Sequence, residues 1–265
     1  DGFHNIESIF QTVDLYDELI VSEIADNRCV VECDTFKLPE KNTLTNSYEA
    51  FCQVSMVKVP GVKVVLKKMI PSGGGLGGGS ADAAALVRAL QKICGVKLSA
   101  SQLNQIAEKT GSDVFFFMNC DDEGKGCALV SGRGEYVKKI IPRLDLLLVF
   151  IFPTVSSSTK EAYALVDDLL ALEVAEKYPS FAELESIYRE TPKNWNFQNS
   201  FTTALSGCYP EIVAAISDMK KAGACYSDMS GSGSTVYGVF DNSEDARRCF
   251  DVVSETWNCE LVQVV

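Results

Sequence analysis

Polar and apolar residues alternate with a period of two along the first part of the chain. The alternation is clearest at residues 8–13, 18–23 and 29–34, where apolar and β-branched residues are separated by turns rich in Asp and Asn. A helical pattern follows at residues 42–54, and the apolar run at residues 62–66 is typical of a buried strand. We therefore predict three strands, a helix and a fourth strand in this region.

The middle of the chain changes to helical spacing after a glycine-rich segment. Small and apolar residues recur through residues 81–94. Ser99 opens a further helix that ends near Gly111, and either Ser99 or Ser101 could cap it. Two short strands are predicted around residues 128–130 and 136–137, and the turn between them contains two glycines.

Strands and helices alternate again in the last part of the chain. We predict strands at residues 146–152, 235–240 and 260–265, and helices at residues 158–172, 181–189, 210–222 and 243–255. A chain of this length can form two modest domains, and we place their boundary close to Leu144, before the first of these strands.

Composition and charge narrow the range of ligands. With 265 residues, 46% of them hydrophobic and 23% charged, the chain is long enough and apolar enough to form a hydrophobic core in each of two domains. Its formal net charge of −12 disfavours a nucleic-acid surface, since a polyanion would be repelled. The longest apolar run, residues 146–152, is far below the ~18 residues of a membrane span. A phosphorylated ligand would therefore depend on backbone dipoles and a few lysines such as Lys67 and Lys68, which could equally form a solvated strand end.

Ten cysteines are scattered along the chain without any Cys-x-x-Cys pair, and there is a single histidine. This distribution disfavours a zinc site and predicts reduced thiols in a cytoplasmic protein. Asp1 is not a start methionine, so we expect residues to be missing before it. If they carry a transit peptide, the location would be the plastid stroma.

Six glycines in seven positions follow the strand predicted at residues 62–66. The segment reads Pro71, Ser72, Gly73, Gly74, Gly75, Leu76, Gly77, Gly78, Gly79, Ser80 and Ala81. Glycine adopts positive φ and has no Cβ, so successive N–H groups can converge on one anion. The helix that starts near Ser80 adds unpaired N–H groups and the positive end of its dipole. An oligophosphate such as the tail of ATP fits this pattern.

A linker, a dinucleotide fingerprint and a P-loop all account less well for the glycine run. A flexible linker would not need a buried strand before it and a strong helix after it. Gly73, Gly75 and Gly78 satisfy the dinucleotide fingerprint formally, but no clear acidic residue follows at the expected distance of about 20 residues. The Gly-Lys-Ser/Thr ending of a P-loop and the motifs of protein kinases are absent from the sequence. The run therefore indicates a phosphate loop outside the dinucleotide-binding, P-loop and protein-kinase classes.

Two further segments could carry chemistry. Asp113 lies in the strongly apolar segment 111–117 and is the best candidate for the group that receives the proton of an acceptor hydroxyl. The alternative is that Asp113 caps a short helix. A second glycine-rich element at residues 229–235 would alone pass for a tight turn, but together with the first run it could line the same cleft.

Four motifs, in the same order, resemble those of the GHMP kinases: residues 1–4, 71–81, 111–114 and 230–233. The resemblance runs over essentially the whole chain. It implies a two-domain α+β fold, with a ribosomal-protein-S5-like ATP-binding and catalytic domain at residues 1–144 and a ferredoxin-like domain at residues 145–265.

The resemblance also implies roles for individual residues around ATP. Residues 71–81 would bind the ATP phosphates, with Lys68 beside them, and Asn42 would lie near the adenine. Asp113 would accept the proton of the attacking hydroxyl. Mg²⁺ is implied as a second cofactor, with Ser80 as a contact.

The doubled glycine triplet around Leu76 resembles the family members that phosphorylate a cytidine diphosphate methylerythritol in non-mevalonate isoprenoid synthesis. The substrate residues implied by this resemblance are Phe3, His4, Thr159, Tyr163, Gly231 and Gly233. Phe3 and His4 would hold the cytosine, and Tyr163 would supply a second aromatic wall with Thr159 nearby. Without the resemblance, Phe3 and Tyr163 would be ordinary core residues and His4 an ordinary partly buried histidine. The expected partner is this small molecule alone, bound by a monomer or weak homodimer.

Three alternative functions stay open at this point. Another GHMP kinase of the mevalonate or homoserine type is the first, a non-catalytic nucleotide-binding relative is the second, and a nicotinamide-binding module is a distant third. The family's first strand, with a catalytic lysine in an Ala-Lys-x-Asn-Leu motif, would precede Asp1, so we expect residues 1–265 alone to be inactive or impaired. Phe115 replaces a usual proline, and Ser200 and Thr202 replace usual acids.

Overall fold

A computed structural model describes residues 4–155, 158–171 and 178–265 of the chain. The chain divides into two compact units, the first formed by Asp1–Ser72 and Gly77–Lys139 and the second by Gly73–Leu76 and Ile140–Val265. The glycine run is thus shared, because Gly73–Leu76 belongs to the second unit and the following residues to the first. The functional boundary between residues 144 and 145 stays a prediction.

The first unit contains two three-stranded sheets and the helices that cover them. Its elements are β1 Ile6–Gln11, β2 Glu18–Ile24, β3 Cys29–Cys33, α1 Thr43–Val54, β4 Gly61–Lys67, α2 Gly78–Cys94, α3 Ala100–Thr110, α4 Val114–Asn119, β5 Cys127–Gly132 and β6 Tyr136–Lys139. One sheet has the strand order β1-β5-β6 and is antiparallel, and the other has the order β2-β4-β3, in which β3 runs parallel to β4.

Strand β4 organises the core of the first unit. It is central in its sheet, and its alternate residues Val62, Val64 and Leu66 are fully or almost fully buried in one cluster with residues of α1 and α2. Burial of a branched apolar side chain stabilises the fold by about 1.5–3 kcal/mol, so these positions fix the strand firmly. The strand that precedes the glycine run is therefore held on both edges and on its buried face.

The second unit is built on one antiparallel sheet. Its elements are β7 Leu147–Ile151, α5 Thr159–Ala171, α6 Phe181–Arg189, a short 3-10 helix Pro192–Asn194, α7 Ser200–Ser206, α8 Pro210–Lys221, β8 Tyr226–Met229, β9 Val236–Phe240, α9 Ser243–Val253 and β10 Cys259–Gln263. The strand order is β10-β7-β9-β8. The second glycine element connects β8 to β9.

The predicted α+β fold class is confirmed, and most elements lie within two or three residues of their predicted bounds. Helix α2 begins at Gly78, earlier than the predicted start near Ser80, because Gly77 adopts the left-handed conformation at the N-cap (φ 66°) and the next two glycines are helical. Strand β8 and helix α7 are absent from the predicted elements, since Tyr226–Met229 carries buried polar residues and α7 contains β-branched threonines. In the described ranges, every helix is too short or too polar to cross a lipid bilayer.

Candidate functional site

The N-terminus of α2 forms the part of the glycine run that belongs to the first unit. The N–H groups of Ser80 and Ala81 both donate to the carbonyl oxygen of Gly77, at 2.9 Å each. In the part of the chain that the structure describes, the N–H groups of Gly78 and Gly79 donate no hydrogen bond. Two unpaired donors therefore stand at the positive end of a 17-residue helix, which is a favourable arrangement for an anion.

The part of the run that belongs to the second unit has alternating backbone conformations. Gly73 and Gly75 have φ values of 72° and 74°, whereas Gly74 and Leu76 do not have positive φ. Alternation of left-handed and ordinary conformations turns successive N–H groups toward one side and forms an anion-binding concavity. Among described residues, Gly73–Leu76 donates no backbone hydrogen bond, so these N–H groups too are available.

Asp113 lies beside the N-terminus of α2, within the first unit. A Cβ added to Gly77 would lie 3.7 Å from Oδ2 of Asp113 and 3.0 Å from Cε2 of Phe117. Asp113 occupies the N-cap position of α4, which agrees with the alternative prediction, yet its side chain makes no capping hydrogen bond. Its carboxylate is thus not used to hold α4.

The environment of Asp113 favours proton uptake. Desolvation by burial raises the pKa of this carboxyl above its usual range. A carboxylate with a raised pKa is a stronger base than one in water, and such groups occur preferentially at functional sites.

Lys68 and Asn42 are both engaged with protein groups. The ammonium of Lys68 pairs with Asp17 and, at 3.1 Å, with Asp82 on α2. Desolvation by burial raises the pKa of Asp82 to about 7, although Lys68 opposes the shift and Asp17 adds to it. Asn42 is the N-cap of α1 and accepts hydrogen bonds from two backbone N–H groups of that helix. The structure therefore places both residues next to helix termini and gives each a structural contact.

Thr43 was not identified from the sequence. A Cβ on Gly79 would lie 3.3 Å from its hydroxyl oxygen, so Thr43 borders the first turn of α2. Ser80 is partly exposed in the same turn and offers a hydroxyl oxygen, a ligand type that Mg²⁺ accepts. No group of three His, Cys, Asp or Glu side chains suited to a metal occurs among the residues described.

Within the second unit, the glycine-rich element at residues 229–235 contacts the backbone of residues 73–76. The N–H of Thr235 donates to the carbonyl oxygen of Gly74 at 3.1 Å. A Cβ on Gly75 would lie 2.1 Å from the carbonyl oxygen of Ser230, and one on Gly231 would lie 3.1 Å from that of Gly75. At Gly75 the approach is so close that a side chain would force the backbone to move.

The same element also contacts the segment that includes Thr159. The hydroxyl of Ser232 lies 3.2 Å from that of Thr159, and the hydroxyl of Ser234 donates to the carbonyl oxygen of Val155 at 2.6 Å. Asn199 donates from its amide to the carbonyl oxygens of Met229 and Gly231, at 2.8 Å each. Residues 230–235 thus connect three parts of the second unit.

The residues predicted for the substrate fall in different places. Tyr163, on α5, packs edge to face against Phe201 with ring centroids 4.9 Å apart. His4 is partly buried in the first unit, and Phe3 lies outside the described residues. The hydrogen bonds of Ser230, Ser232, Ser234 and Asn199 were not predicted, because the sequence does not indicate which distant groups these side chains reach.

The chain is similar to known kinases over its whole length. The profile of the GHMP kinases N terminal domain matches residues 42–120, and that of the GHMP kinases C terminal domain matches residues 179–259. A 4-diphosphocytidyl-2-C-methyl-D-erythritol kinase of Treponema pallidum is 38% identical over 100% of this chain and 91% of its own. One of Thermodesulfovibrio yellowstonii is 33% identical over the same shares.

Solved structures show the same likeness. A crystal structure of 4-(cytidine 5'-diphospho)-2C-methyl-D-erythritol kinase superposes with a TM-score of 0.79 at 26% identity, covering 99% of this chain and 91% of the other. A homoserine kinase from Cytophaga hutchinsonii superposes with a TM-score of 0.68 at 20% identity, covering 97% and 89%, which is a likeness of fold alone.

Proposed function

The chain belongs to the GHMP kinases, as its motifs predicted, and on this premise we propose that it phosphorylates the 2-hydroxyl of 4-diphosphocytidyl-2-C-methyl-D-erythritol with ATP. This step belongs to non-mevalonate isoprenoid precursor synthesis. The proposal draws on relatives that carry this name and are similar over the entire chain.

The observation that carries the proposal is the set of unpaired N–H groups along the glycine run. Residues 73–79 present consecutive donors that no described acceptor uses. Phosphate oxygens satisfy such donors without requiring a positively charged surface, which suits a chain of net charge −12. We assign residues 71–81 to the phosphates of ATP, and Asn42 and Thr43 to the neighbouring nucleotide end.

Asp113 would accept the proton of the acceptor hydroxyl. The hydroxyl oxygen then attacks the γ-phosphorus, the bond from this phosphorus to the β,γ-bridging oxygen breaks, and ADP leaves with the electron pair. The raised pKa of Asp113 makes the carboxylate a better base, and its place beside Gly77 puts it next to the helix N-terminus that would bind phosphate.

The residues present fit Mg²⁺ only as a partner of the phosphates. Ser80 offers one hydroxyl oxygen, and Mg²⁺ bound to nucleotides takes most of its ligands from phosphates and water. When bound, the ion would supply positive charge that offsets the charge of the phosphates.

The cytidine end of the substrate is assigned to aromatic and small residues. Tyr163 and Phe3 would stack on the cytosine and His4 would contact its edge, because a flat π-face binds a pyrimidine without charge. Thr159, Gly231 and Gly233 would contact the rest of the substrate. The hydrogen-bonded contact of Thr159 with Ser232 supports this grouping of the second-unit residues.

We also propose a reduced, cytoplasmic environment, with the plastid stroma as the alternative, and a monomer or weak homodimer. All ten cysteines are free thiols, which is the usual state in such compartments.

Transfer of radioactive γ-phosphate to three acceptors by the full-length protein tests the function. We expect product with the cytidine diphosphate methylerythritol and less than about 1% of that rate with mevalonate or homoserine. Asp113→Asn is the matched inactive control, because it keeps size and removes the base. Binding of ATP without transfer to any of the three acceptors would overturn the proposal and favour a nucleotide-binding relative.

A further inference from the structure

Three charged side chains are buried together beneath the N-terminus of α2. Lys68 exposes 8% of its side chain, Asp17 2% and Asp82 5%. The Lys68 ammonium pairs with Oδ2 of Asp17 and with Oδ2 of Asp82. We call these three residues the buried charge cluster.

The buried charge cluster holds both ends of the glycine run. Oδ1 of Asp17 accepts hydrogen bonds from the N–H groups of Met69 and Ile70, at 2.7 and 2.8 Å, just before Pro71. Asp82 stands on α2, four residues after its first residue. Lys68 joins the two carboxylates, so the chain entering the run is tied to the helix that leaves it.

Gly78 shows how closely the helix end rests on the cluster. A Cβ at this position would lie 3.1 Å from Nζ of Lys68 and 2.9 Å from Cγ2 of Ile70. The backbone of Gly78, which carries one of the unpaired N–H groups, thus lies next to the ammonium of Lys68. A shift of Lys68 would therefore disturb this donor, and through the helix also the neighbouring donor of Gly79.

The engagement of Lys68 argues against direct contact with phosphate. Its ammonium is buried and already faces two carboxylates, and such pairs are costly to separate. Lys67, one residue earlier, is exposed and pairs with Glu18 at 2.8 Å. Neighbouring lysines in the sequence therefore have different environments.

We propose that Asp17, Lys68 and Asp82 are positioning residues for ATP, which act by fixing the first turn of α2 and the entry to the glycine run. The inference rests on the proposed binding of ATP phosphates by that run. It assigns Lys68 an indirect role instead of a place among the phosphate ligands.

Two roles of Lys68, direct binding of phosphate and positioning of the backbone donors, predict opposite changes in ATP affinity when Asp17 or Asp82 is replaced. Asp17→Asn and Asp82→Asn keep the size of each side chain and remove negative charge near a site for a polyanion. If Lys68 bound phosphate directly, both changes would strengthen ATP binding, because the competing carboxylate is lost. If the cluster positions the donors, both changes weaken binding.

Calorimetric titration with Mg·ATP of the full-length protein measures this sign. We expect Asp17→Asn, Asp82→Asn and Lys68→Met each to raise the dissociation constant about tenfold or more, since displaced donors lose much of their effect. Lys67→Met, the matched control, should leave it within about twofold because its ion pair is exposed. Measurable ATP binding by the unaltered protein tests the proposed function separately.

Kinetics separate positioning from mere loss of folded protein. The Asp17, Asp82 and Lys68 variants should be assayed well below their melting temperatures. In each of them we expect KM for ATP to rise while KM for the acceptor stays unchanged. A fall in kcat alone would overturn the proposal, since partial unfolding lowers only the amount of active enzyme. Tighter or unchanged ATP binding by both aspartate variants would overturn it as well.

A double variant covers the case in which Lys68→Met folds poorly. Lys68→Met alone leaves two buried carboxylates facing each other, and adding Asp82→Asn removes that repulsion. We expect the double variant to melt higher than Lys68→Met and still to bind ATP at least about tenfold more weakly than the unaltered protein. Full recovery of ATP affinity in the double variant would contradict the positioning role.

Discussion

The hydroxyl of Ser230 donates a hydrogen bond of 2.9 Å to the carbonyl oxygen of Gly75, 155 residues earlier in the chain. Both residues belong to the second unit. The bond holds the carbonyl of Gly75 to one side, and the N–H groups of the first glycine run are left for a ligand. A loop preorganised in this way does not need to be ordered by the ligand, which favours tight binding of phosphate.

Gly75→Ala tests the close approach of the two glycine elements. Its φ is 74° and the added Cβ would lie 2.1 Å from a backbone oxygen, so the backbone must move. We expect the dissociation constant for ATP to rise at least about tenfold and stability to fall by ~1–3 kcal/mol, measured by titration and urea unfolding.

Gly207→Ala is the control for this change. Gly207 is the C-cap of α7 with φ −75°, and no atom of the described residues outside its immediate chain neighbours lies within 4 Å of an added Cβ, so this change should leave ATP binding intact. Equal effects at both glycines would contradict the role given to residue 75.

Ser230→Ala removes one hydrogen bond without adding bulk. We expect a loss of about 1 kcal/mol in the preorganisation of the run, seen as roughly a fivefold rise in KM for ATP. Ser254→Ala serves for comparison, because this exposed hydroxyl donates to a carbonyl of its own helix, that of Asp251. If the rise in KM is the same for both serines, the link between Ser230 and Gly75 does not act on ATP.

Asp113→Asn should lower turnover and raise stability at the same time. Without the base, kcat should fall by about 10²–10⁴-fold while ATP still binds. The pKa of Asp113 is raised by desolvation, so the folded state holds a proton more tightly than the unfolded chain. Ionised Asp113 therefore destabilises the fold above its folded pKa, and the Asn variant should melt at a higher temperature at pH 8.

The pH dependence of Asp113 supplies a further check. The gain in melting temperature should shrink as pH falls through the raised pKa, because the unaltered carboxyl then becomes protonated and neutral. Over the same range the unaltered enzyme should lose activity. Asp122→Asn, at an exposed loop position, should change neither quantity; a melting temperature of Asp113→Asn below that of the unaltered protein would oppose this account.

Asp228→Asn should destabilise the second unit. Each carboxylate oxygen accepts two hydrogen bonds, Oδ1 from Thr202 and the N–H of Met229, and Oδ2 from Tyr226 and the N–H of Asn199. Whichever side the amide NH₂ occupies, two donors lose their acceptor. We expect a loss of about 2–3 kcal/mol in urea unfolding.

Asp251→Asn is a suitable comparison for Asp228, since Asp251 is exposed on α9. It should change stability by less than ~0.5 kcal/mol. A small effect at both positions would mean that Asp228 does not hold the chain around the second glycine element.

Local chemistry explains which parts of the fold could be predicted from sequence. Ser99 caps α3 through its own hydroxyl and Asn42 caps α1 through its own amide, and neighbours in sequence satisfy both. Helix α2 follows from its small and apolar residues in the same way. Strand β8 could not be predicted, because its Ser227 and Asp228 are buried only where distant residues supply hydrogen bonds or cover.

In the candidate site, too, some features could be predicted from local sequence and others depend on distant residues. The glycine run and Asp113 are recognisable because their residue types are unusual at that spacing. Lys68 is adjacent to Lys67 in the sequence, and nothing in that pair indicates which one is buried between two carboxylates. That difference arises from Asp17, which lies 51 residues away along the chain.

The amino-acid order alone determined where the backbone can carry unpaired donors, since glycine adopts the positive φ values at residues 73, 75 and 77 without the steric cost that a side chain adds. It also determined the apolar faces that build each core. Tertiary structure decided which polar groups serve the fold and which remain available, as at Lys68, Asp228 and Asp113. The physical reason is that desolvation and hydrogen bonding of a buried charge depend on neighbours that only folding brings into contact.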